Sequence, residues 1–374
     1  MFLNRLEIHQ FRNLSHAVLE FHPRRNFIFG DNAQGKTNLI EAVYLLCLAK
    51  SFRTREDQEL VPFSGQTYFI EGEFTDNHSL KHKVGHIYDI EQGKQIKIDG
   101  KRIRQYSALI GQFPSIVLSS HDYQITSGPP AERRRFFNIL MSQSSRVFLD
   151  NLKHYDKIVK QRNTILSHRD PKAGKVENEQ LDIWNNQLVL FGSRIMMARS
   201  QIVKELNTYL AEYYSSITQQ RGRLSIVYKP NISHRDSGDV SDKFITALKR
   251  VAAKEWRQGK TLVGPHRDEF IFGIGGNELR KFASRGEHKS ALVSLKAAEA
   301  QVLFKRTGIY PILLLDDLFA ELDKNRSTNV IDLFDDHCQL FTTGTSLDYA
   351  GLGQKSNTLK HYTFMVQRGD ITSS

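Results

Sequence analysis

Residues 30–37 read Gly-Asp-Asn-Ala-Gln-Gly-Lys-Thr, the spacing G-x-x-x-x-G-K-[ST] of a phosphate-binding loop. An apolar run at 27–29 precedes the loop and an apolar stretch at 39–49 follows it, which predicts strand, loop and helix. The glycines let backbone N–H groups close around phosphates, Lys36 would reach the β- and γ-phosphates, and Thr37 would bind Mg²⁺. The predicted contacts of an ATP molecule are Gly30, Asp31, Asn32, Ala33, Gln34, Gly35, Lys36 and Thr37.

A second candidate half of the site lies far downstream. The apolar run 312–315 predicts a buried strand that ends in Asp316-Asp317, where α/β sheets place ligands. Asp316 is the predicted support for Mg²⁺, and Asp317 is the predicted group that polarises the attacking water. Acidic strand ends are common, so this pair indicates a nucleotide site only in combination with the phosphate loop.

Ser284-Arg285-Gly286-Glu287 precedes a predicted long helix at 288–306. Ser284 and Gly286 could offer a hydroxyl and backbone donors to an anion at the helix N-terminus. The alternative is an ordinary helix start in which Ser284 and Glu287 form a capping box. Both readings can hold together.

The coarse pattern predicts an α/β protein with an inserted helical part. Alternating apolar residues predict strands at 2–11, 17–21 and 68–74, and a mixed or antiparallel β region up to 119. Residues 131–168 lack proline and glycine and predict one or two long helices, and residues 181–217, which contain Gly192, predict a further long helix. The predicted parts are 1–122, 123–260 and 261–374.

The charge is concentrated in the middle of the chain. Residues 131–260 hold 24 Lys and Arg against 13 Asp and Glu, an excess that equals the net charge of +11 of all 374 residues. This favours a nucleic-acid partner, although a solvated lysine-rich face is the common alternative. The densest candidate DNA contacts are Arg133, Arg134 and Arg135, followed on the next helix by Lys153, Lys157, Lys160 and Arg162.

Composition excludes several classes of protein. No apolar run approaches the roughly 20 residues that span a bilayer, so no membrane segment is expected. The N-terminus lacks the apolar core of a signal peptide. With only Cys47 and Cys338, a disulfide framework is not expected, and the cytoplasm is the predicted compartment.

The order GDNAQGKT, SRGEHKS and LLLDDLFAELD resembles the head of ABC-type ATPases of the SMC/Rad50 class. The opening L-x-I-x-x-F-R-N-L, KSFR at 50–53, G-x-P-x-x-R-R-R at 128–135 and GPHRD at 264–268 are more closely similar to the RecF family of bacterial DNA replication and repair proteins. The fold implied is an ABC-type ATPase head, with a mixed β-sheet around the phosphate loop and an inserted helical subdomain. The region of about 140 residues between the half-sites is too short for a long coiled-coil arm.

The resemblance also implies roles and partners. Ser284–Glu287 matches the signature loop that contacts the nucleotide of a second subunit, and Asp323 matches the D-loop of the same ATP-dependent homodimer. The implied DNA is double- and single-stranded, at gaps or junctions, and the implied partners are RecR, with RecO and RecA in function. Asp317 stands where transporter-type ATPases have Glu, and Thr342-Thr343 where they have the switch histidine, which implies slow hydrolysis. Ser119–Asp122 is the candidate glutamine loop.

Two other functions are open at this point. A P-loop kinase or nucleotide-metabolism enzyme would consume ATP independently of DNA, and a structural DNA-binding protein would keep a vestigial ATP site. The signature and D-loop sequences disfavour the first. The intact lysine and paired aspartates disfavour the second.

Overall fold

The computed structural model describes residues 1–168, 174–218, 222–233, 239–317, 334, 337–345 and 361–373, with the backbone alone at 174–179. The chain forms two compact units. Unit 1 contains residues 1–123, 212–221 and 289–374, and unit 2 contains 124–211 and 222–288. Residues 261–288 therefore belong with the helical unit, which differs from the predicted boundary at 260.

Eight helices run through the described residues: α1 (Lys36–Leu48), α2 (Tyr123–Ser127), α3 (Pro130–Ser144), α4 (Arg146–Ser167), α5 (Gly174–Thr218), α6 (Val240–Gln258), α7 (Leu279–Phe282) and α8 (Arg285–Thr307). The strands of the same residues are β1 (Phe2–Phe11), β2 (Leu14–Glu20), β3 (Arg25–Phe29), β4 (Thr67–Thr75), β5 (Lys81–Asp89), β6 (Gly93–Ile98), β7 (Lys101–Arg102), β8 (Ser115–Leu118), β9 (Leu224–Lys229), β10 (Glu269–Ile274), β11 (Asn277–Glu278), β12 (Ile312–Leu315), β13 (Leu340–Gly344), β14 (Tyr362–Gln367) and β15 (Asp370–Ser373).

The first sheet of unit 1 is antiparallel, in the order β2-β1-β4-β5-β6-β7. Every second residue of β4 is buried, as expected of a strand with one face on a core. Helix α1 packs on this sheet. Gly72 of β4 permits the close approach, because a Cβ there would lie only 2.8 Å from Leu46 Cδ1 of α1.

The second sheet carries the candidate site, in the order β15-β14-β3-β13-β12-β8. All its pairs are parallel except β14 with β15. Parallel neighbours end at the same edge, so the loop after β3 and the acidic pair after β12 emerge together, one strand apart. The sequence placed the strand at 115–119 in a mixed or antiparallel β region; the structure pairs β8 with β12, in parallel. Its four residues are all buried, as in a strand covered on both faces.

Unit 2 combines helices α3 to α6 with a small antiparallel sheet in the order β11-β10-β9. The segment 131–168, predicted as one or two long helices, forms two, α3 and α4. They are separated at Ser145, whose Oγ accepts a hydrogen bond from Phe148 N (3.2 Å) at the start of α4. The apolar residues at helical spacing in α5 include Leu188, Ile195 and Leu206, which are fully buried.

Within the described part of the chain, no helix is long and apolar enough to cross a membrane. Cys47 and Cys338 are both buried and are not joined by a disulfide. Burial raises the pKa of the Cys47 thiol to about 12, so this sulfur stays protonated. The sequence pattern also predicts a helix at 326–335, of which only Phe334 is among the described residues.

Candidate nucleotide-binding site

The phosphate loop connects β3 to α1, as the sequence predicts. Gly30 and Gly35 have φ values of 149° and 122°, which side chains rarely adopt. A Cβ on Gly30 would lie 2.3 Å from Val366 O, and one on Gly35 would lie 2.8 Å from Asn13 Oδ1. Both positions therefore require glycine for backbone conformation and for space.

Lys36 lies buried inside the loop. Its Nζ donates hydrogen bonds to the carbonyl oxygens of Gly30 (2.7 Å) and Asp31 (2.8 Å). The ammonium group is thereby held against the loop that would surround the phosphates, whereas Asp31, Asn32 and Ala33 are exposed along it. This places a fixed positive charge at the centre of a backbone cradle, at the N-terminus of α1.

Thr37 and Asp316 meet although 279 residues separate them. Thr37 Oγ1 lies 2.9 Å and 3.0 Å from the two carboxylate oxygens of Asp316. Burial raises the pKa of Asp316, while the hydrogen bonds from Thr37 and Thr343 oppose that rise. A hydroxyl and a carboxylate are suitable ligands for Mg²⁺, which usually binds one or two carboxylates plus water and phosphate oxygens. The described residues contain no cluster of three His, Cys, Asp or Glu that could hold a metal ion.

Thr343, at the end of β13, binds both members of the acidic pair. Its Oγ1 accepts a hydrogen bond from Asp317 N (2.8 Å) and donates one to Asp316 Oδ1 (3.0 Å). Asp317 has φ 52°, in the left-handed region. The sequence marked Thr343 only as a departure from a switch histidine. The parallel pairing of β12 with β13 gives it a second role, as the support of the acidic strand end.

The outer side of the phosphate loop is held by two turns that the sequence did not connect with it. Gln34 O accepts hydrogen bonds from Asn13 Nδ2 (2.9 Å) and from Gly369 N (3.0 Å). Gln34 Oε1 accepts one from Arg368 N (2.6 Å). Arg368 and Gly369 both have positive φ and form the turn between β14 and β15, so that hairpin holds the loop.

Glu41 of α1 is a buried carboxylate that accepts hydrogen bonds from residues of the F-R-N and KSFR motifs. Arg12 binds it through Nε (3.0 Å) and a terminal nitrogen (2.9 Å), and Arg53 binds it at 3.1 Å. Ser51 Oγ donates to the same carboxylate, and Arg53 also donates to Asn38 Oδ1 (2.7 Å). Arg53 also favours the ionised form of the Asp316 carboxyl. The F-R-N and KSFR motifs are therefore brought together at the phosphate-loop helix.

Ser284 and Glu287, in unit 2, form the predicted capping box. Ser284 N and Oγ lie 2.7 Å and 2.8 Å from Glu287 Oε2, and Glu287 N lies 3.3 Å from Ser284 Oγ. These hydrogen bonds lower the pKa of Glu287. Helix α8 begins at Arg285, three residues earlier than predicted, which places Gly286 in its first turn. Ser284 is exposed. Asp323 lies outside the described residues.

The candidate glutamine loop is a second capped turn, in unit 1. Ser119 N donates to Asp122 Oδ2 (2.8 Å) at the start of a single 3-10 turn. The other oxygen of Asp122 lies 3.2 Å from Lys296 Nζ on α8, which also lies 3.3 Å from Glu299. Burial raises the pKa of Glu299 to about 7, although the Lys296 ammonium opposes that rise. The turn is thus fixed to α8 by a buried ion pair.

Comparison with known proteins agrees with this geometry. Residues 2–362 match the family model described as the RecF/RecN/SMC N-terminal domain. The chain belongs to this family. A relative from Streptococcus suis, named DNA replication and repair protein RecF, is 35% identical over 375 residues, which covers 100% of both chains. A relative with the same name from Staphylococcus carnosus is 32% identical over 99% of this chain and 100% of its own.

Solved structures of this RecF/RecN/SMC family have the same fold. A structure described as the recombination mediator protein RecF with ATP, in the RecFOR pathway, superposes with a TM-score of 0.89 at 28% identity, covering 100% of this chain and 99% of that one. An Smc head bound to a winged-helix domain of ScpA gives a TM-score of 0.59 at 14% identity, covering 100% and 98%. The second likeness concerns the fold alone. The predicted ABC-type ATPase head is confirmed.

The three arginines predicted to contact DNA differ in their surroundings. Arg133 is buried; its guanidinium binds both oxygens of Glu269 (2.7 and 2.9 Å). Arg134 donates to a backbone carbonyl (2.9 Å). Arg135 has an exposed side chain, 3.8 Å from Glu132. The expectation for Arg133 is therefore corrected, because this arginine is only 4% exposed and its guanidinium binds Glu269 and the carbonyl oxygen of Gly128. Arg134 is half-buried, and Arg135 is exposed.

Arg162, also considered for DNA, is likewise buried. It binds Glu255 Oε2 (2.8 Å) and Thr261 Oγ1 (2.7 Å). Arg199 binds Asp268 Oδ2 (2.8 Å) in the GPHRD motif. The Arg162–Glu255 ion pair connects α4 to α6, and the bonds to Thr261 and Asp268 connect α4 and α5 to the segment before β10. Part of the basic excess of the middle region therefore stabilises unit 2. Lys153, Lys157 and Lys160 are exposed.

Proposed function

We propose that the chain is an ATP-dependent DNA-binding protein of recombinational repair and replication restart. The observation that carries this proposal is the hydrogen bonding of Thr37 to Asp316, which joins the phosphate loop to the acidic strand end in one nucleotide site. Family membership and relatives named DNA replication and repair protein RecF support the DNA side.

Different residues of unit 1 would have different roles in ATP hydrolysis. Lys36 and the backbone donors of the loop would bind the phosphates, and Thr37 with Asp316 would hold Mg²⁺. Bound Mg²⁺ neutralises charge that develops on the phosphate oxygens. Arg53, fixed by Glu41 and Asn38 at the start of the same helix, adds positive charge on this side of the site.

Asp317 is the proposed group that orients the attacking water. Its backbone is fixed by Thr343, but its carboxylate is one methylene shorter than the glutamate of transporter-type ATPases. Thr342 and Thr343 occupy the position of the switch histidine, so a second proton-handling group of that kind is missing from this strand. Both features favour slow turnover, as suits a nucleotide switch.

Binding of ATP would favour a homodimer in which Ser284 and Gly286 of one copy contact the nucleotide of the other. ATP must then bind the dimer more tightly than the monomer, because a ligand shifts an equilibrium only through differential affinity. The dimer would hold gapped or junction DNA, act with RecR and RecO in assisting RecA, and do so in the cytoplasm. Hydrolysis would return it to monomers.

Binding of gapped duplex DNA, measured against salt with ATP, ADP or a slowly hydrolysed analogue, tests this function. We expect affinity to rise with ATP or the analogue and to fall steeply with salt. Lys36→Arg should retain much ATP binding but lose turnover, since it keeps the charge and changes the geometry. Equal DNA affinity in all nucleotide states would refute the switch, and wild-type turnover of Lys36→Arg would refute the assignment of Lys36.

Sedimentation tests the dimer separately. Ser284→Arg should abolish ATP-dependent dimerisation and leave ATP binding by the monomer intact. Asn277→Arg, which adds the same charge at the exposed start of β11 in the same unit, should dimerise like the wild type. If both variants dimerise with ATP, the role of Ser284 across the interface is wrong.

A further inference from the structure

Unit 2 contains a cavity of about 330 Å³ at one face of the β9–β10 sheet. Lys229 of β9 and Glu269 of β10 are paired across the strands, as are Val227 and Ile271. Val227 is 58% exposed, so this face of the sheet is open to solvent. The cavity has the size of a small-molecule site.

The charges that line the cavity are unequal. Four cations (Arg133, Lys229, Arg267 and Arg280) face two carboxylates (Glu269 and Glu278). Both carboxylates are already in ion pairs, Glu269 with Arg133 at 2.7 Å and Glu278 with Lys281 at 2.8 Å.

The other three cations are not neutralised. No carboxylate among the described residues lies within salt-bridge distance of Lys229, Arg267 or Arg280. The guanidinium of Arg267 donates to the carbonyl oxygen of Thr261 at 3.4 Å. The cavity therefore concentrates positive charge in a concave space, where low-dielectric walls strengthen its attraction for an anion.

We propose that this cavity binds the phosphate group of a nucleotide, supplied either by a nucleic-acid strand or by a free nucleotide. Two guanidinium groups and one ammonium group match the several oxygens of a phosphate, to which arginine can bind in two-pronged fashion. The partly buried side chain of Ile271 provides apolar surface for the sugar or base next to the phosphate. The nucleic-acid strand as the source of the phosphate rests on the proposed DNA binding, whereas the free nucleotide as the source does not.

Protection of Lys229 from acylation, followed by mass spectrometry, tests the proposal at the site itself. The full-length Lys36→Ala variant is used, so that the phosphate loop does not compete. The probes are inorganic phosphate, AMP and a short single-stranded oligonucleotide. We expect a saturating probe to reduce acylation of Lys229 about fivefold or more and to leave exposed Lys249 of α6 unchanged.

Arg280→Ala should raise the half-protecting probe concentration about tenfold, because a charge-assisted hydrogen bond is lost. Arg257→Ala, an exposed arginine of α6 in the same unit, should leave that concentration unchanged. Protection by phosphate and AMP would identify a free nucleotide as the source, and protection by the oligonucleotide alone would identify the strand.

Three results would overturn the proposal: no protection by any probe, equal protection of Lys249, or an unchanged half-protecting concentration in Arg280→Ala. Binding of gapped duplex by the wild-type chain is measured in parallel. Retained DNA binding without protection of Lys229 rejects the cavity alone. Protection by AMP without any DNA binding rejects the proposed function alone.

Discussion

Replacing Thr343 by valine removes one hydroxyl and keeps the shape of the side chain. That hydroxyl accepts a hydrogen bond from Asp317 N and donates one to Asp316 Oδ1. Thr343 is only 1% exposed, so water cannot readily replace either bond. We expect Thr343→Val to reduce ATP turnover while ATP binding persists, because Lys36 and the loop are unchanged.

The size of the effect follows from the two lost bonds. An unpaired buried N–H costs about 1–3 kcal/mol, and a hydrogen bond to a carboxylate contributes about 1.5–3 kcal/mol. Partial relaxation reduces the sum, so we expect a loss of about 2–4 kcal/mol in the free energy of unfolding. Displacement of Asp317 by a fraction of an ångström should reduce turnover about tenfold to a hundredfold.

The neighbouring residue provides a matched control. Thr342 is 3% exposed, and its Oγ1 has no hydrogen-bond partner among the described residues. Thr342→Val should therefore be neutral or slightly stabilising, and Thr343→Ser should retain most of the turnover. Turnover is measured by phosphate release at saturating ATP, and stability by urea unfolding. Equal behaviour of Thr342→Val and Thr343→Val would refute the support assigned to Thr343.

Two further predictions concern unit 2. Burial lowers the pKa of His266 to about 4. Below about pH 6.5 the unfolded chain therefore takes up a proton that the folded chain does not, and the free energy of unfolding decreases as the pH is lowered. His266→Gln should reduce the loss of unfolding free energy between pH 7 and pH 5 by about 2 kcal/mol, measured by urea unfolding at both pH values. Arg133→Ala should lower the free energy of unfolding by about 2 kcal/mol, because Glu269 loses its partner but is partly exposed. Replacement of the exposed Arg135 by alanine should change the free energy of unfolding by less than about 0.5 kcal/mol. If Arg135 contacts DNA, the same replacement should reduce the salt dependence of DNA binding by about one phosphate contact. Equal destabilisation by the two arginine variants would contradict these positions.

Most of the nucleotide site could be predicted because its signals are local. The glycines, Lys36 and Thr37 lie within eight residues, and an apolar run before Asp316 is enough to predict a strand with a carboxylate at its end. The supports could not be predicted, since the bonds of Gln34 to Asn13 and Gly369 depend on which strands are neighbours. Strand order is a tertiary property that the local pattern does not contain.

The same reasoning explains the errors about charge. A run such as Arg133–Arg135 looks uniform in sequence, but successive residues of a helix point about 100° apart. One of them therefore enters the core and another stays in solvent. The positive charges of unit 2 can be counted from the sequence. Which of them are structural follows only from the structure, in which Arg133, the partner of Glu269, is buried.

The resemblance implies departures from transporter-type ATPases at Asp317 and Thr342-Thr343, and two of these residues, Asp317 and Thr343, form one structural feature. Asp317 has φ 52°, a conformation that aspartate tolerates better than most side chains. The hydrogen bond of its N–H to Thr343 helps to hold the backbone in that conformation, and the same hydroxyl binds Asp316. A glutamate at 317 would fit this turn less well, and a histidine at 343 would remove the hydroxyl that shapes it. The acidic strand end is thus built as a unit around a threonine, so the short carboxylate and the missing histidine belong to the same arrangement.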